Sequence, residues 1–107
     1  MLTHKDLEEY ILSMPNAYLD YPFGKATAVY KASNGKMFAL IAENSSPIRI
    51  SLKADPQLAM VLRDKYESVQ PGYHLNKKHW NTILITDQLT DQEIFDLINH
   101  SFELVAS

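Results

Sequence analysis

Two of the four histidines, a pair of adjacent lysines and the sole tryptophan fall in one stretch, Pro71-Gly72-Tyr73-His74-Leu75-Asn76-Lys77-Lys78-His79-Trp80-Asn81. The ammonium groups of Lys77 and Lys78 suit phosphate, and His74, Asn76 and His79 supply hydrogen-bonding groups. Tyr73 and Trp80 offer stacking faces, so the combination is that of a nucleic-acid or anion contact. Pro71-Gly72 predicts a turn, and the polar run at 76–79 projects as a loop or wing between two strands. Arg49 and Lys53 extend this basic surface if their strand neighbours the one that begins at Trp80. Contacts from Lys77, Lys78, Arg49 and Lys53 to phosphates would give log K against log salt a slope of about −3.6, a modest electrostatic footprint. The plainer alternative is structural: Tyr73 and Leu75 pin the loop to the core, Trp80 packs at a strand start, and the lysines are merely solvated.

The same residues give little to catalysis. There is no Gly-rich phosphate loop, no nucleophile elbow and no HExxH pattern, so no enzyme activity and no cofactor is expected. His74 and His79 are five residues apart and do not share a helical face. A metal held by them would need carboxylates from elsewhere, and no metal site is expected. Ser101 beside His100 lies on an amphipathic helix and reads as surface and packing.

These groups must be positioned by one domain, because 107 residues suffice for a single core. At this size folding buries roughly 65% of the surface of the unfolded chain. The absence of cysteine excludes disulfides, thiolate metal sites and cysteine nucleophiles. No apolar run approaches the ~18 residues of a membrane span, and the N-terminus lacks the apolar centre of a secretory signal. The expectation is a soluble cytoplasmic protein. The net charge of −3 is uneven. Residues 47–81 hold six Lys/Arg against three acids, whereas residues 82–107 hold five acids and no Lys or Arg. Positive potential is therefore expected on an acidic body.

Thr3 and Asp6 predict a capping box, and Leu7, Tyr10, Ile11 and Met14 predict a helix over about 4–14 that ends at Pro15. The aromatic loop at 16–24 is expected to lay Tyr18, Tyr21 and Phe23 over one edge of the core, or else to form the rim of a partner or ligand site. Strands are predicted at 27–31 and 37–42, joined through Asn34-Gly35. In the next strand, Ile48, Ile50 and Leu52 alternate with Arg49, Ser51 and Lys53, which predicts a half-buried strand with a basic outer face. Asp55-Pro56 starts a helix over 56–66. A short extended segment at 67–70 and a last strand at 80–85 follow, and Thr90 with Glu93 caps a helix over 91–105. The order α-β-β-β-α-(β)-β-α predicts a single two-layer α+β domain, a mainly antiparallel sheet with flanking helices.

The 71–82 stretch resembles the signature of the MmcQ/YjbR-like proteins. Tyr21-Pro22-Phe23-Gly24, Gly35-Lys36-Met37-Phe38-Ala39 and Ser51-Leu52-Lys53-Ala54-Asp55-Pro56 add to the likeness, which covers nearly the whole chain. Ala54 stands where many relatives carry cysteine, and no thiol chemistry is expected. The resemblance implies a compact α+β domain similar to the CyaY-like and type III secretion chaperone-like folds. It also implies a bacterial DNA-binding protein, with β hairpins as a double wing and Asn76, Lys77, Lys78 and His79 as contacts. The primary expectation is thus a non-enzymatic DNA-binding protein. One alternative is a protein-interaction or chaperone-like module working through Tyr18, Tyr21 and Phe23. Another is a small anionic-ligand pocket lined by Tyr73, His74, Lys77 and Trp80.

Overall fold

The computed structural model describes residues 1–106. Helix α1 (His4–Leu12) starts at the expected capping box, with the Thr3 side chain accepting from the Asp6 N–H and the Asp6 carboxylate accepting from the Thr3 N–H. It stops two residues before the expected end. Three antiparallel strands follow as β1 (Tyr18–Asp20), β2 (Thr27–Lys31) and β3 (Met37–Ala42). Strand β4 (Arg49–Lys53) leads into α2 (Pro56–Lys65), where the Asp55 carboxylate caps Gln57 and Leu58. Strands β5 (Val69–Pro71) and β6 (Trp80–Leu84) precede α3 (Asp91–Ala106). The six strands form one antiparallel sheet in the order β1-β2-β3-β4-β6-β5. This is the α+β domain expected from the sequence.

Strand β1 corrects the expectation of an irregular loop at 16–24. Tyr18, Leu19 and Asp20 pair with Lys31, Tyr30 and Val29. The Asp20 carboxylate takes the Lys31 ammonium at 2.9 Å, which holds the edge strand in register. Nor do the three aromatics of that segment lie over the core: Tyr18, Tyr21 and Phe23 are exposed. In the hairpin between β2 and β3, Gly35 takes a φ of 84°, the left-handed conformation that its lack of a Cβ makes inexpensive.

Alternation sorts the sheet into two unlike faces. Ala28, Tyr30, Ala39, Ile41, Ile50, Leu52 and Ile83 meet Leu7 and Ile11 of α1 and Ile94, Ile98 and Val105 of α3 in the main core. A bulge opposite Tyr30 and Lys31 inserts Phe38 between Met37 and Ala39, and its ring meets Phe102 of α3 edge-on at 5.1 Å. Tyr10 of α1 stacks on Phe95 of α3 at 4.1 Å, closing the helical layer. Ser101 is no surface residue: it is fully buried, donates to the Phe38 carbonyl at 2.6 Å and accepts from the Lys53 N–H at 2.9 Å. His100 Nε2 accepts from the Asp55 N–H. One turn of α3 is thereby tied to both β3 and the exit of β4.

Among the described residues the second face carries no helix. There Val29, Leu40 and Trp80 pack with Met37 and Leu75 into a small separate cluster. Leu75 comes from the loop between β5 and β6, which folds back over the sheet. The three helices together hold eight acidic and three basic side chains, whereas strands and loops hold seven basic and five acidic. The polarity of the molecule thus follows its layers.

Candidate nucleic-acid interface

The cross-strand register fixes the floor of a cleft on the helix-free face. Leu40, Ser51 and Thr82 form one row across β3, β4 and β6. Thr27 and Ala42 sit beside them on paired strands. Their side chains line a cleft of about 480 Å³ together with Phe23, Arg49, Tyr73, His74 and Leu75. The hydroxyls of Ser51 and Thr82 are 2.8 Å apart, and Thr82 Oγ1 also accepts the Tyr73 N–H at 2.9 Å. The floor is therefore an apolar surface with its own polar groups already paired.

Strand β4 supplies the charge. Arg49, Ser51 and Lys53 alternate onto this face, as the period of two predicts. The Arg49 guanidinium sits 5.3 Å from the centre of the Tyr73 ring, within cation–π range. The Tyr73 ring in turn lies 4.0 Å from that of His74. Among the described residues Lys31 pairs with Asp20 and the His4 imidazole lies near Glu8 and Glu43, so Arg49, Lys53 and Lys78 are without a carboxylate partner. Glu43 stands on the cleft wall with its carboxylate facing the Tyr21 hydroxyl at 3.3 Å. Burial and the Glu43 charge raise the Tyr21 phenol above its ordinary pKa, so it remains a donor to that carboxylate.

The 72–79 loop is built to present a few of its side chains and to use the others as supports. Gly72 is buried; a Cβ on it would lie 2.8 Å from Trp80 Cβ, so the close crossing of the two strands requires glycine. The Asn76 side chain accepts from the Lys78 N–H, while its carbonyl accepts from the His79 and Trp80 N–H groups. Asn76 thereby shapes the turn from within. Arg63 of α2 closes the loop from the other side of the sheet. Its guanidinium donates to Asn81 Oδ1 at 2.6 Å, to the Trp80 carbonyl at 3.1 Å and to the Lys77 carbonyl. Asn81 also donates to the Ala59 carbonyl of α2. Within this frame His74 has a φ of 56°, in a region that non-glycine residues seldom occupy and that is enriched at binding sites.

The sequence-predicted contacts therefore divide. Arg49, Tyr73 and His74 come together at the cleft, and Lys53 lies on the same strand face. Lys78 is exposed on the loop, and half-buried His79 is tied to the sheet through its carbonyl, which accepts the Ala54 N–H. Lys77 folds back, donating to the Gly72 carbonyl at 3.0 Å, so it serves the loop first. Trp80 is only 7% exposed, packed under Leu75, and has no free stacking face. The pocket expected from Tyr73, His74, Lys77 and Trp80 thus keeps the first two residues and replaces the others with Phe23 and Arg49. Phe23 lines the cleft, in keeping with the rim alternative for its loop, whereas Thr27, Leu40, Glu43 and Thr82 are not indicated as floor or walls by the sequence. The one available signal was the exposed face implied by alternation along the β4 strand. Among the described residues no group of three or more His, Asp or Glu is arranged to hold a metal, and no helix is long and apolar enough to cross a membrane.

Comparison with known proteins places this architecture in a family. The YjbR family model matches residues 12–104. The chain is similar to YbdF of Escherichia coli O157:H7, with 37% identity over 95% of this chain and 83% of that protein. It is also similar to YjbR of Escherichia coli K12, with 32% identity over 95% and 86% of the two chains. Among solved structures, Deinococcus radiodurans protein DR2400, with its DUF419 domain, superposes with a TM-score of 0.93 at 36% identity, over 98% of this chain and 79% of that one. A Pseudomonas syringae protein superposes with a TM-score of 0.83 at 32% identity, over 96% and 98%. These names state no activity, so the functional reading rests on the geometry. The chain belongs to the YjbR family.

Proposed function

We propose that this protein is a non-enzymatic DNA-binding domain that engages its ligand with the helix-free face of the sheet. The observation that carries the reading is the convergence of unpaired Arg49 with Tyr73 and His74 on one cleft, with Lys53 on the same strand face and Lys78 exposed on the loop that carries Tyr73 and His74. The acidic helices lie behind the sheet, so the charge distribution orients the polyanion toward this face. Arg49, Lys53 and Lys78 bind phosphate, and the tyrosine face receives a base or sugar.

Three phosphate contacts give a log–log salt slope of about −2.7 on duplex DNA, or roughly a 40-fold loss of affinity between 50 and 200 mM salt. Fluorescence anisotropy of labelled duplex and single-stranded DNA measures this directly. Arg49→Glu/Lys78→Glu is the matched variant, because neither side chain supports the core. Binding that falls with salt and is lost in the variant is the expected result. Equal binding by wild type and variant, or none at low salt, removes the reading.

A further inference from the structure

The shape and polarity of the cleft say which part of a nucleic acid enters it. Phe23 and Tyr73 both line it, and they arrive from opposite sides: Phe23 from the segment before β2, Tyr73 from the loop before β6. Strands β2 and β6 are three spacings apart, about 14 Å, so Phe23 and Tyr73 flank the cleft from its two sides. Both rings are unusually bare, at 64% and 59% exposure, although the chain has an apolar floor on which to bury them.

The charges are also of two kinds. Arg49 and His74 stand on the β4–β6 side, whereas Glu43 follows Ala42 at the end of β3. The pairing of Ile41 with Ile50 makes Glu43 and Arg49 near neighbours across β3 and β4, so a simple anion would meet both charges. A ligand carrying an amino donor and a phosphate together satisfies both. Adenine and cytosine nucleotides have that chemistry, the exocyclic amine donating to a carboxylate while the backbone phosphate meets the guanidinium.

We infer that the cleft is a seat for one unpaired, amino-bearing base of a DNA strand, held between Phe23 and Tyr73 with its amine on Glu43 and its phosphate on Arg49. This rests on the DNA-binding reading and narrows it: the preferred target is a strand with an unstacked nucleotide rather than a perfect duplex. A base in a duplex is already stacked on both faces and cannot reach the floor without being extruded, which costs pairing energy.

The test compares three oligonucleotides of one sequence: a perfect duplex, the duplex with one bulged cytosine, and the duplex with an abasic bulge at that position. The abasic bulge reproduces the flexible backbone without the base. Aromatic stacking on a base corresponds to roughly a 5- to 150-fold change in affinity. The bulged cytosine is therefore expected to bind at least ~5-fold tighter than the abasic bulge, and Phe23→Ala and Tyr73→Ala are each expected to remove the difference. Both rings are exposed, so neither truncation leaves a buried cavity, and urea unfolding of each variant serves as the control for folding. Wild-type protein that binds both bulges equally, while still binding duplex in a salt-dependent manner, overturns the base seat and leaves the DNA reading intact. A preference that survives both alanine variants overturns it too, since the base then sits elsewhere. Competition by free cytidine monophosphate at comparable affinity assigns the cleft to a soluble nucleotide and also overturns the proposal. Absence of binding to every oligonucleotide removes the DNA reading itself.

Discussion

Replacing Arg63 with methionine tests whether the 72–79 loop owes its shape to α2. Methionine keeps most of the aliphatic packing and removes the guanidinium, so the measured cost falls on the hydrogen bonds. Three acceptors lose a donor, but not equally. The Trp80 carbonyl still accepts the Gly72 N–H at 2.9 Å, and the Lys77 carbonyl lies on an exposed loop where water replaces the donor. The decisive group is Asn81 Oδ1, on a residue only 2% exposed. A buried acceptor left without a partner costs about 1–3 kcal/mol, and charge-assisted bonds are at the strong end of the range. The expected loss is about 2–3 kcal/mol, a fall in Tm of roughly 10–20 °C for a domain of this size. Urea unfolding of Arg63→Met, Asn81→Leu and the double variant gives the coupling. Because each single change orphans the other partner, the double variant is expected to be more stable than the two losses added together. Arg63 is also basic, and reduced DNA affinity alone would not distinguish a phosphate contact from a support. The Asn81 cycle does so. A cost below about 0.5 kcal/mol for Arg63→Met, or strictly additive losses, would refute the stapling role.

Ser101→Ala removes the bridge from α3 to β3 and β4. It leaves the part-buried Lys53 N–H without its acceptor and takes the buried donor from the Phe38 carbonyl, for an expected loss of about 1–3 kcal/mol in urea unfolding. A change within 0.5 kcal/mol would show that water or a backbone shift repairs the gap. Glu93 holds its carboxylate below the ordinary range because the Thr90 N–H, the Tyr66 hydroxyl and the Thr90 side chain all donate to or sit against it. A lowered folded pKa contributes stability above the unfolded value near 4, and this stability is lost as pH falls through the folded value. Glu93→Gln keeps a residue suited to the capping box but cannot ionise. The stability difference between wild type and Glu93→Gln, measured by thermal melts from pH 7 to pH 2, is therefore expected to shrink toward the acid end. A difference that stays constant across that range would mean that ionisation of Glu93 contributes nothing.

Much of the fold was legible because its elements announce themselves locally. The capping boxes at Thr3 and Thr90, the Asp55-Pro56 start and the Asn34-Gly35 turn mark ends, and the periods of two and 3.6 residues mark the stretches between. Strand β1 was hidden because three residues flanked by Asn16 and Tyr21-Pro22 carry no periodicity of their own; their extended form comes from pairing with β2. Ser101 was misread for a related reason. A small polar residue on an amphipathic helix has no local sign of burial, and its role exists only where α3 crosses the sheet.

The 71–81 stretch was legible as important but not as to which of its residues are free. Sequence assigns hydrogen-bonding capacity to Asn76, Asn81 and Lys77 alike, whereas the fold consumes that capacity within the loop and on α2. Trp80 follows the same logic, since an aromatic at a strand start on a helix-free face is the natural anchor for Leu75. What these residues support is the placement of Tyr73 and His74, whose rings touch each other while Tyr73 meets Arg49 from a strand more than twenty residues away. A motif can therefore be long and specific while most of its members act as structure, provided that the structure they make delivers two or three side chains to a face no helix covers. The cleft joins residues from β2, β3, β4, β6 and three loops, and no single stretch contains its pattern. The cross-strand row Leu40–Ser51–Thr82 brings them together, and that row follows from sheet order, which α2 sets by carrying the chain past β6 to its far side before it returns.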